Sequence, residues 1–442
     1  MSDAGSGPGV AGSRPRDGDS GAGVAGLRPG DCGSRPGDRG SRAALRCFLG
    51  AFGDPGHAFP MLALGATLVG RGHDVTFETW ERWRTDVEAA GMRFVAAPEF
   101  PVFPTRERPL SPYEAVVAAV THTRPAVAAA VPDVLVHDIL TLAPALSGEL
   151  ESVPVATLIP HLYPPGQPGY PPFGLGARPP RTRAGRRLWR AFDRPLAAGL
   201  RRGTGELNET RRRVGLGPVD APHNGLSRQL CLVATLPQLE YPRSWPEHVH
   251  VTGPLIWEAP AATAEPPPGD APLVLVAPST AQDPSHRLLR ATLRGLRDEP
   301  VRVLASWNRR PLGGPVAIPA NARVVEWFSY AQSMADAALV VCHGGHGTLI
   351  RALTLGRPVV VVPHAGDMPE NAARVSWAGA GVRLPWPLLS PTTLRAAVRR
   401  ALANPALAIR AQQLAAWASL HDGAARAADL VEQLARGHAA SG

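Results

Sequence analysis

The chain has 442 residues, 44% of them hydrophobic, and a net charge of +9, which suits two α/β domains better than a single core. All 46 basic residues are arginine, and the absence of lysine excludes a Walker phosphate loop, a pyridoxal Schiff base and a Tyr/Lys dehydrogenase pair. Because the arginine accompanies a general Ala/Gly/Pro richness, we interpret the charge as compositional and expect no nucleic-acid partner.

The first part of the chain changes character near residue 43. Residues 1–42 are rich in Gly, Pro, Arg and Ser and cannot bury enough apolar surface to fold, so we predict a disordered tail. From residue 43 to residue 258, strand and helix patterns alternate, which predicts a first domain built on a doubly wound parallel sheet. Its clearest strand patterns lie at residues 45–52, 75–78, 134–136 and 153–159.

A second α/β domain is predicted over residues 273–442, after an Ala/Pro/Glu-rich linker at residues 259–272. Its strand patterns lie at residues 273–277, 301–305, 322–325, 338–342 and 358–362. The final helical segment, residues 392–436, is amphipathic, and we expect these helices to pack back on the first domain.

Neither a metal site nor an exported segment is indicated. The four cysteines form no Cys-x-x-Cys pair, and no histidine cluster has zinc spacing. No apolar run reaches the roughly 18 residues of a membrane-spanning helix, and no secretory signal pattern is present. We therefore expect a soluble, cytoplasmic protein that uses no metal and has no integral membrane segment.

A glycine-bearing loop follows the first strand and contains Gly50, Gly53 and Gly56. Taken alone, these glycines resemble a weak dinucleotide fingerprint, with Glu78 at the end of the second strand as the ribose acceptor, so a dehydrogenase stays an alternative. The glycines suit equally well a loop whose backbone approaches some other bound molecule.

His57 and Asp138 are the candidate catalytic residues of the first domain. His57 follows the glycine-bearing loop, and Asp138 follows the strand pattern at residues 134–136, so both emerge at the carboxyl edge where open α/β sheets bind ligands. An Asp–His pair makes a general base, because the carboxylate fixes the imidazole tautomer and stabilises the imidazolium. The spacing alone also allows a helix cap at His57 and a turn acceptor at Asp138.

A diphosphate site is predicted at residues 341–348, which read Val-Cys-His-Gly-Gly-His-Gly-Thr. A buried strand that ends in this turn and opens a helix presents backbone N–H groups, an imidazole and a hydroxyl at a positive helix N-terminus. The candidate diphosphate-binding residues are His343, Gly344, Gly345, Gly347 and Thr348. Polar residues at 367–375 follow and could meet whatever the diphosphate carries, which points to a nucleotide sugar.

Two further segments could contact the nucleoside. Ser279 follows the strand pattern at residues 273–277, and Trp327 and Phe328 follow the one at residues 322–325. Trp327 could stack on the base, although an ordinary core position stays open for it.

Taken in order, these motifs resemble the actinobacterial natural-product glycosyltransferases, a family that contains macrolide, glycopeptide and enediyne transferases. The resemblance covers about residues 45–430 and is carried by the motifs at residues 56–64, 71–75, 132–138, 251–255 and 343–371. It implies a GT-B fold, in which two facing Rossmann-like domains bind the acceptor and the nucleotide sugar. It also implies inverting sugar transfer without a metal or other cofactor.

The resemblance assigns roles to individual residues. It makes His57 the catalytic base and Asp138 its partner. His343, Gly345 and Thr348 match the family's diphosphate-binding positions. Asp367 and Asn371 match the segment that faces the donor sugar.

Two departures from the family pattern bear on the donor. Met368 stands where the family usually has a Gln that contacts sugar hydroxyls, and it offers only a soft apolar surface. Arg351 stands where members that use uridine donors commonly carry a ribose-binding Glu. Both departures favour a dTDP-deoxysugar, which has fewer hydroxyls and no ribose 2′-hydroxyl, over UDP-glucose.

The resemblance implies transfer to a hydroxyl or amine of a secondary-metabolite aglycone, as in antibiotic biosynthesis. Alternatives are a UDP-sugar-dependent transferase acting on a lipid, carotenoid or sterol, a C-glycosyltransferase on an aromatic polyketide, and a non-catalytic sugar-nucleotide-binding activator. The acceptor is expected to contact the Pro-rich segment at residues 163–180, where Tyr163, Tyr170 and Phe173 offer aromatic surface. The oligomeric state stays open, a homodimer included.

Overall fold

The computed structural model describes residues 43–100, 112–220, 225–279 and 283–440. The predicted tail at residues 1–42 lies outside the described residues. Within the described ranges, no helix is both long enough and apolar enough to cross a membrane.

The first α/β unit is a parallel sheet of seven strands in the order β3-β2-β1-β4-β5-β6-β7. The strands are β1 (Arg46–Gly50), β2 (Asp74–Thr79), β3 (Arg93–Ala96), β4 (Val134–Asp138), β5 (Val155–Ile159), β6 (Leu230–Val233) and β7 (Val249–Val251). The helices that accompany them are α1 (Pro55–Gly70), α2 (Arg84–Ala89), α3 (Pro112–Ala130), α4 (Leu142–Leu150), α5 (Arg183–Arg190) and α6 (Asp193–Arg213). The strand order reverses between β1 and β4, which is where such sheets open a crevice for ligands.

The second unit is a parallel sheet of six strands in the order β10-β9-β8-β11-β12-β13. The strands are β8 (Leu273–Ala277), β9 (Arg302–Ser306), β10 (Ala322–Val325), β11 (Leu339–Cys342), β12 (Val359–Val361) and β13 (Gly381–Arg383). The helices in this part of the chain are α7 (Arg287–Gly295), α8 (Tyr330–Ala335), α9 (His346–Thr354), α10 (Met368–Ala378), α11 (Pro391–Leu402), α12 (Pro405–Leu420) and α13 (Gly423–Ala439), of which α13 packs on the first unit. In this sheet the strand order reverses between β8 and β11.

Continuous apolar runs form the centres of both sheets, because parallel strands covered by helices are buried on both faces. Every residue of β8 is buried, and so is every residue of β11. The prediction of two doubly wound parallel sheets is confirmed. Residues 259–272, between the two sheets, contain no helix or strand.

The last helix, α13, belongs to the core of the first unit. Ala428 and Val431 of α13 are fully buried in one cluster with Leu64 and Leu68 of α1. The preceding helix, α12, packs instead on the second unit, so the chain crosses between the units at residues 420–423.

Ion pairs strengthen the contact between α13 and the end of α1. Arg71 Nη1 donates to Glu432 Oε1 and to Asp429 Oδ1, each at 2.8 Å. His73 Nε2 lies 3.2 Å from Glu432 Oε1. The Glu432 side chain is only 8% exposed, so this contact holds α13 at a defined position on the first unit.

Candidate active site

A cavity of about 310 Å³ lies where the carboxyl edges of the two sheets face each other. Its first wall contains His57 and His161, and its second wall contains His343, Thr348 and Asp367. Both strand reversals open toward this cleft, which explains why residues far apart in sequence meet there.

His57 and Asp138 form a hydrogen-bonded pair on the first wall. His57 lies in the first turn of α1, and Asp138 is the last residue of β4, the neighbour of β1. The His57 Nδ1 and Asp138 Oδ1 atoms are 3.2 Å apart. Because Nδ1 is engaged by the carboxylate, Nε2 is the ring nitrogen left to accept a proton.

The surroundings keep Asp138 ionised although it is completely buried. Its carboxylate accepts hydrogen bonds from the backbone N–H groups of Leu140, at 2.6 Å, and Phe52. Burial raises the pKa of Asp138, but His57 and these N–H groups outweigh burial and leave the pKa below its usual value. Burial lowers the pKa of His57, but the charge and hydrogen bond of Asp138 outweigh it, so the pKa of His57 is raised.

The turn between β11 and α9 forms the facing wall. Gly344 adopts a φ of +93°, and a Cβ atom there would lie 2.9 Å from Val361 Cγ1, so only glycine fits. Gly344 is buried behind the cleft, whereas Gly345, Gly347 and Thr348 line it at the N-terminus of α9. The turn therefore presents the start of a helix to any ligand in the cleft.

His343 is held in this turn by one backbone contact. Its Nδ1 lies 3.2 Å from the Ala277 carbonyl oxygen, which fixes the proton on Nδ1. Burial, the largest influence, lowers the pKa of His343, so the free imidazole is neutral.

The start of α10 borders the cleft through Asp367 and Met368. Asn371 does not reach the cleft, which corrects its prediction as a sugar contact: the side chain is 1% exposed, and its amide is used elsewhere. Asn371 Nδ2 donates to Gly344 O at 2.9 Å and to Asp367 Oδ2 at 2.8 Å. Asn371 therefore positions both the turn after β11 and the Asp367 carboxylate.

Ser279, which follows β8, and Trp327, which follows β10, also line the cleft. Trp327 stacks on Tyr330 at a centroid distance of 5.9 Å and an interplanar angle of 19°. Phe328 is fully buried in the core with Met334 and does not border the cleft. This corrects the prediction that Phe328 contacts a nucleoside.

Glu78, the ribose acceptor of the dehydrogenase alternative, lies in the core of the first unit and does not border the cleft. It is 3% exposed and accepts a hydrogen bond of 2.8 Å from Thr123 Oγ1. Burial raises the pKa of Glu78 to about 7. Gly53 is needed because a Cβ atom there would collide with the Trp80 ring, so packing explains it without a dinucleotide.

His161 is a cleft residue that the sequence analysis missed. It follows β5, the neighbour of β4, and its ring centroid lies 6.4 Å from that of His57. Its Nδ1 lies 2.8 Å from the Leu162 carbonyl oxygen, and burial lowers its pKa. A neutral imidazole with this tautomer offers Nε2 as a hydrogen-bond acceptor. The rule that placed Asp138 could have placed His161, because both follow adjacent strands.

Glu258 and Arg351 form a second unforeseen feature of the cleft wall. Arg351 Nη1 lies 3.0 Å from Glu258 Oε2, and both side chains are at most 15% exposed. Glu258 also accepts hydrogen bonds from Tyr330 N at 2.7 Å and Ala331 N at 3.1 Å, at the start of α8. The Glu258 carboxylate is therefore fully engaged by protein donors.

Within the described ranges, no group of three or more His, Cys, Asp or Glu side chains is arranged to hold a metal ion. The structure brings together one imidazole–carboxylate pair, further imidazoles, a helix N-terminus and an aromatic ring. This set can abstract a proton on one wall and receive a leaving anion on the other.

Comparisons with known proteins agree with this geometry. Residues 290–431 match the family model of the erythromycin biosynthesis protein CIII-like C-terminal domain. The chain is 30% identical to the 4'-demethylrebeccamycin synthase of Lentzea aerocolonigenes, over 86% of this chain and 97% of that one. It is 31% identical to the O-mycaminosyltylonolide 6-deoxyallosyltransferase of Streptomyces fradiae, over 88% of this chain and 98% of that one.

The fold also matches a solved structure, that of the calicheamicin glycosyltransferase CalG4. The TM-score is 0.67 and the identity 26%, with 88% of this chain and 98% of that one covered. The chain thus belongs to the natural-product glycosyltransferases of the GT-B type, the family of the actinobacterial rebeccamycin and macrolide glycosyltransferases.

Proposed function

We propose that this enzyme transfers a deoxysugar from a dTDP-sugar to a hydroxyl or amine of a secondary-metabolite aglycone, with inversion and without a metal or other cofactor. The observation that carries the proposal is the placement of the His57–Asp138 pair opposite the His343 turn in one cleft. A base and an anion-binding helix terminus on opposite walls suit attack on one face of a sugar and departure from the other.

In the proposed reaction, His57 Nε2 takes the proton of the acceptor hydroxyl while the acceptor oxygen forms a bond to the anomeric carbon. The bond between that carbon and the diphosphate oxygen breaks, and its electron pair leaves with the nucleoside diphosphate. Asp138 stabilises the imidazolium that forms. The N-terminus of α9, with Gly345, Gly347 and Thr348, receives the leaving diphosphate.

The sugar-facing side of the cleft supports a deoxysugar donor. Met368 offers no hydrogen bond to a hydroxyl, whereas Asp367 and His161, which also line the cleft, can each accept one. The relative from Streptomyces fradiae is named for transfer of 6-deoxyallose, which is a sugar of this class.

The nucleoside end of the cleft supports thymidine over uridine. The Glu258–Arg351 pair closes this wall, and the Glu258 oxygens are already bound by the N–H groups of α8. No free carboxylate is then left on this pair for a ribose 2′-hydroxyl. Trp327 and Ser279 remain to contact the base and the deoxyribose.

Aromatic side chains around the first wall support an apolar acceptor. Phe52 and Trp80 pack edge to face at 4.8 Å beside His57, and Phe173 lies 6.1 Å from His161. Rings of this kind bind flat or apolar molecules mainly through buried area.

Binding of dTDP, UDP and NAD to the full chain, measured by calorimetry and thermal shift, tests the donor. We expect dTDP to bind most tightly, and turnover with a panel of dTDP-deoxysugars to exceed turnover with UDP-glucose. Equal or better binding and turnover with the uridine donor would support the UDP-sugar transferase instead. Binding of NAD alone would overturn the transferase mechanism proposed for this cleft.

Product analysis tests the reaction. The anomeric configuration of the product, determined by NMR, should be opposite to that of the donor. A product whose sugar resists acid hydrolysis would identify C-glycosylation. Donor binding without turnover on any acceptor would identify a non-catalytic activator.

A further inference from the structure

A second cavity, of about 400 Å³, lies against the second α/β unit, the proposed donor domain, and shares no lining residue with the catalytic cleft. Its wall is formed by Arg178 from the segment after β5, by Ser376 of α10, by Arg383 of β13, and by Arg400 and Asn404 near the end of α11. We call this the arginine cavity. It joins a loop of the acceptor domain to three elements of the donor domain.

The arginine cavity carries three guanidinium groups and no lining carboxylate. Among the described residues, none of these arginines forms an ion pair. Arg178 Nη2 donates to Ser376 Oγ at 2.7 Å, and Arg383 Nη1 donates to the Gly176 carbonyl oxygen. Arg383 Nε is buried and has no hydrogen-bond partner in the described part of the chain.

A neighbouring arginine, by contrast, has carboxylate partners from the chain itself. Arg374, on the same helix as Ser376, is paired with Glu370 at 2.7 Å and with Glu240 at 3.1 Å. Like charges that converge without a counter-ion repel one another, and an unpaired buried donor costs free energy. The arginine cavity is therefore organised for a negatively charged group that the chain itself does not supply.

We propose that the arginine cavity binds a phosphorylated small metabolite, at a site distinct from the diphosphate turn. Guanidinium groups match phosphate oxygens in pairs of hydrogen bonds. The volume of the cavity exceeds that of a phosphate ion and falls within the range of about 300 to 1,000 Å³ of small-molecule sites. Ser376 and Asn404 can contact the uncharged part of such a molecule.

Binding there would fix the acceptor domain to the donor domain. Arg178 lies on the segment that carries Phe173, and Gly176 on the same segment packs so closely on Pro369 that no Cβ atom would fit. Pro369 is beside Met368, which borders the catalytic cleft. An anion held by Arg178, Arg383 and Arg400 therefore stabilises the acceptor loop against the start of α10.

Calorimetric titration of the full chain with inorganic phosphate, and with a sugar phosphate, tests this site at constant ionic strength set by chloride. Arg400→Gln is the informative variant, because Arg400 has no hydrogen bond or ion pair among the described residues and its loss should not disturb the fold. We expect Arg400→Gln and Arg383→Gln each to weaken phosphate binding by about tenfold or more. Arg201→Gln, an exposed position on α6, is the matched control and should bind like the wild type.

Two results would overturn the proposal. The first is equal phosphate affinity in the wild type, Arg400→Gln and Arg383→Gln. The second is complete loss of the phosphate response in His343→Ala, since phosphate would then be binding at the turn before α9. Because the readout is binding of phosphate, its failure is separate from failure of the proposed transfer reaction.

Discussion

Four histidines line the catalytic cleft, and each has its own electrostatic setting. Asp138 raises the pKa of His57, whereas burial lowers the pKa of His161 and His343 and lowers that of His346 to about 4. Of these four histidines, His57 is the one that the structure pairs directly with a buried carboxylate. The residue with the strongest base character is therefore the one beside the Asp138 carboxylate.

The pH dependence of transfer follows from the His57–Asp138 pair. A general base must be neutral, so kcat/KM should fall as the pH falls through the raised pKa of His57. Asp138→Asn removes the charge that raises this pKa, so the acid limb of the profile should move to lower pH while the maximal rate drops. Measured profiles of the wild type and the variant check both effects.

Removal of the base should affect chemistry more than binding. We expect His57→Ala to lower turnover by about 10²- to 10⁴-fold and to keep the affinity for the nucleoside diphosphate. His122→Ala, an exposed position on α3, is the control and should retain full turnover. A His57→Ala enzyme with the wild-type rate on a hydroxyl acceptor would contradict the assignment of the base.

Proton uptake should accompany diphosphate binding at His343. The Nδ1 proton is held by Ala277 O, so Nε2 can donate to a phosphate oxygen only when the ring is protonated, and the anion raises the lowered pKa. Affinity for the nucleoside diphosphate should therefore weaken as the pH rises. Calorimetry in buffers of different ionisation enthalpy should show net proton uptake in the wild type and less in His343→Ala; equal uptake in both would exclude His343.

At the residue scale, the sequence predicted which residues lie near the cleft when strand order determines their position. It did not predict which side chains point into the cleft. His57 and Asp138 follow adjacent strands at a strand reversal, so their proximity was predictable. Phe328 follows a strand just as Trp327 does, but neighbouring residues in a loop can point to opposite sides. Asn371 is one turn of helix from Asp367, and the sequence does not show that its amide is used by the turn after β11.

In the proposed mechanism, the turn between β11 and α9 is the element on which donor binding depends most. Gly344→Ala should lower the free energy of unfolding by about 1–2 kcal/mol, because of the positive φ and the contact with Val361, and should weaken nucleotide binding. Gly205→Ala in α6, where a Cβ atom meets nothing within 4 Å, should bind nucleotide as the wild type does. Denaturant unfolding and calorimetry measure the two effects. Unchanged binding in Gly344→Ala would show that the turn tolerates rearrangement.

The free energy of unfolding should depend on Glu432, because this residue of α13 binds Arg71 and His73 at the end of α1. Burial raises the pKa of Glu432, but hydrogen bonds from Arg71, His73 and Arg436 outweigh it and lower the pKa to about 2. Because the folded pKa is below the unfolded one, this stabilisation is present above the unfolded pKa and is lost as the pH falls toward about 2. Glu432→Gln should therefore destabilise the protein at neutral pH by about 1–3 kcal/mol and less at acidic pH.

Glu209→Gln is the matched control for that experiment. Its neighbours Arg212 and Arg213 lower the pKa of Glu209 to about 2 as well, but the pairs lie on the exposed face of α6. Exposed pairs contribute little, so urea unfolding should show almost no change. Equal effects of the two variants would mean that the α1–α13 contact does not depend on Glu432.

At the element scale, strands that read as continuous apolar runs were predictable, and strands without such a run were not. β8 and β11 read as continuous apolar runs because both faces are buried, and their predicted bounds lie within a residue of those found. β7 and β13 have three residues each, and β3 is a partly exposed edge strand. Each of these three strands includes a polar residue or a glycine, so none reads as a continuous apolar run, and each is too short to show a period of its own.

At the scale of the whole molecule, the first α/β unit is built from two distant parts of the chain. A fragment of residues 43–258 lacks Ala428, Val431 and the partners of Arg71. We expect this fragment to be poorly folded by circular dichroism and hydrogen exchange, and addition of a peptide of residues 421–440 to increase protection in α1. Full protection of the fragment alone would show that α13 is dispensable.

The packing of α13 on α1 also determines when the first unit can complete its fold during translation. Because α13 is translated after the whole six-stranded sheet of the second unit, α1 leaves the ribosome with an apolar face that its partner covers only after that unit has been made. A chimaera that exchanges the second α/β unit between relatives must therefore cut the chain twice, near residues 259–272 and again near residues 420–423, so that α13 stays with the unit it completes.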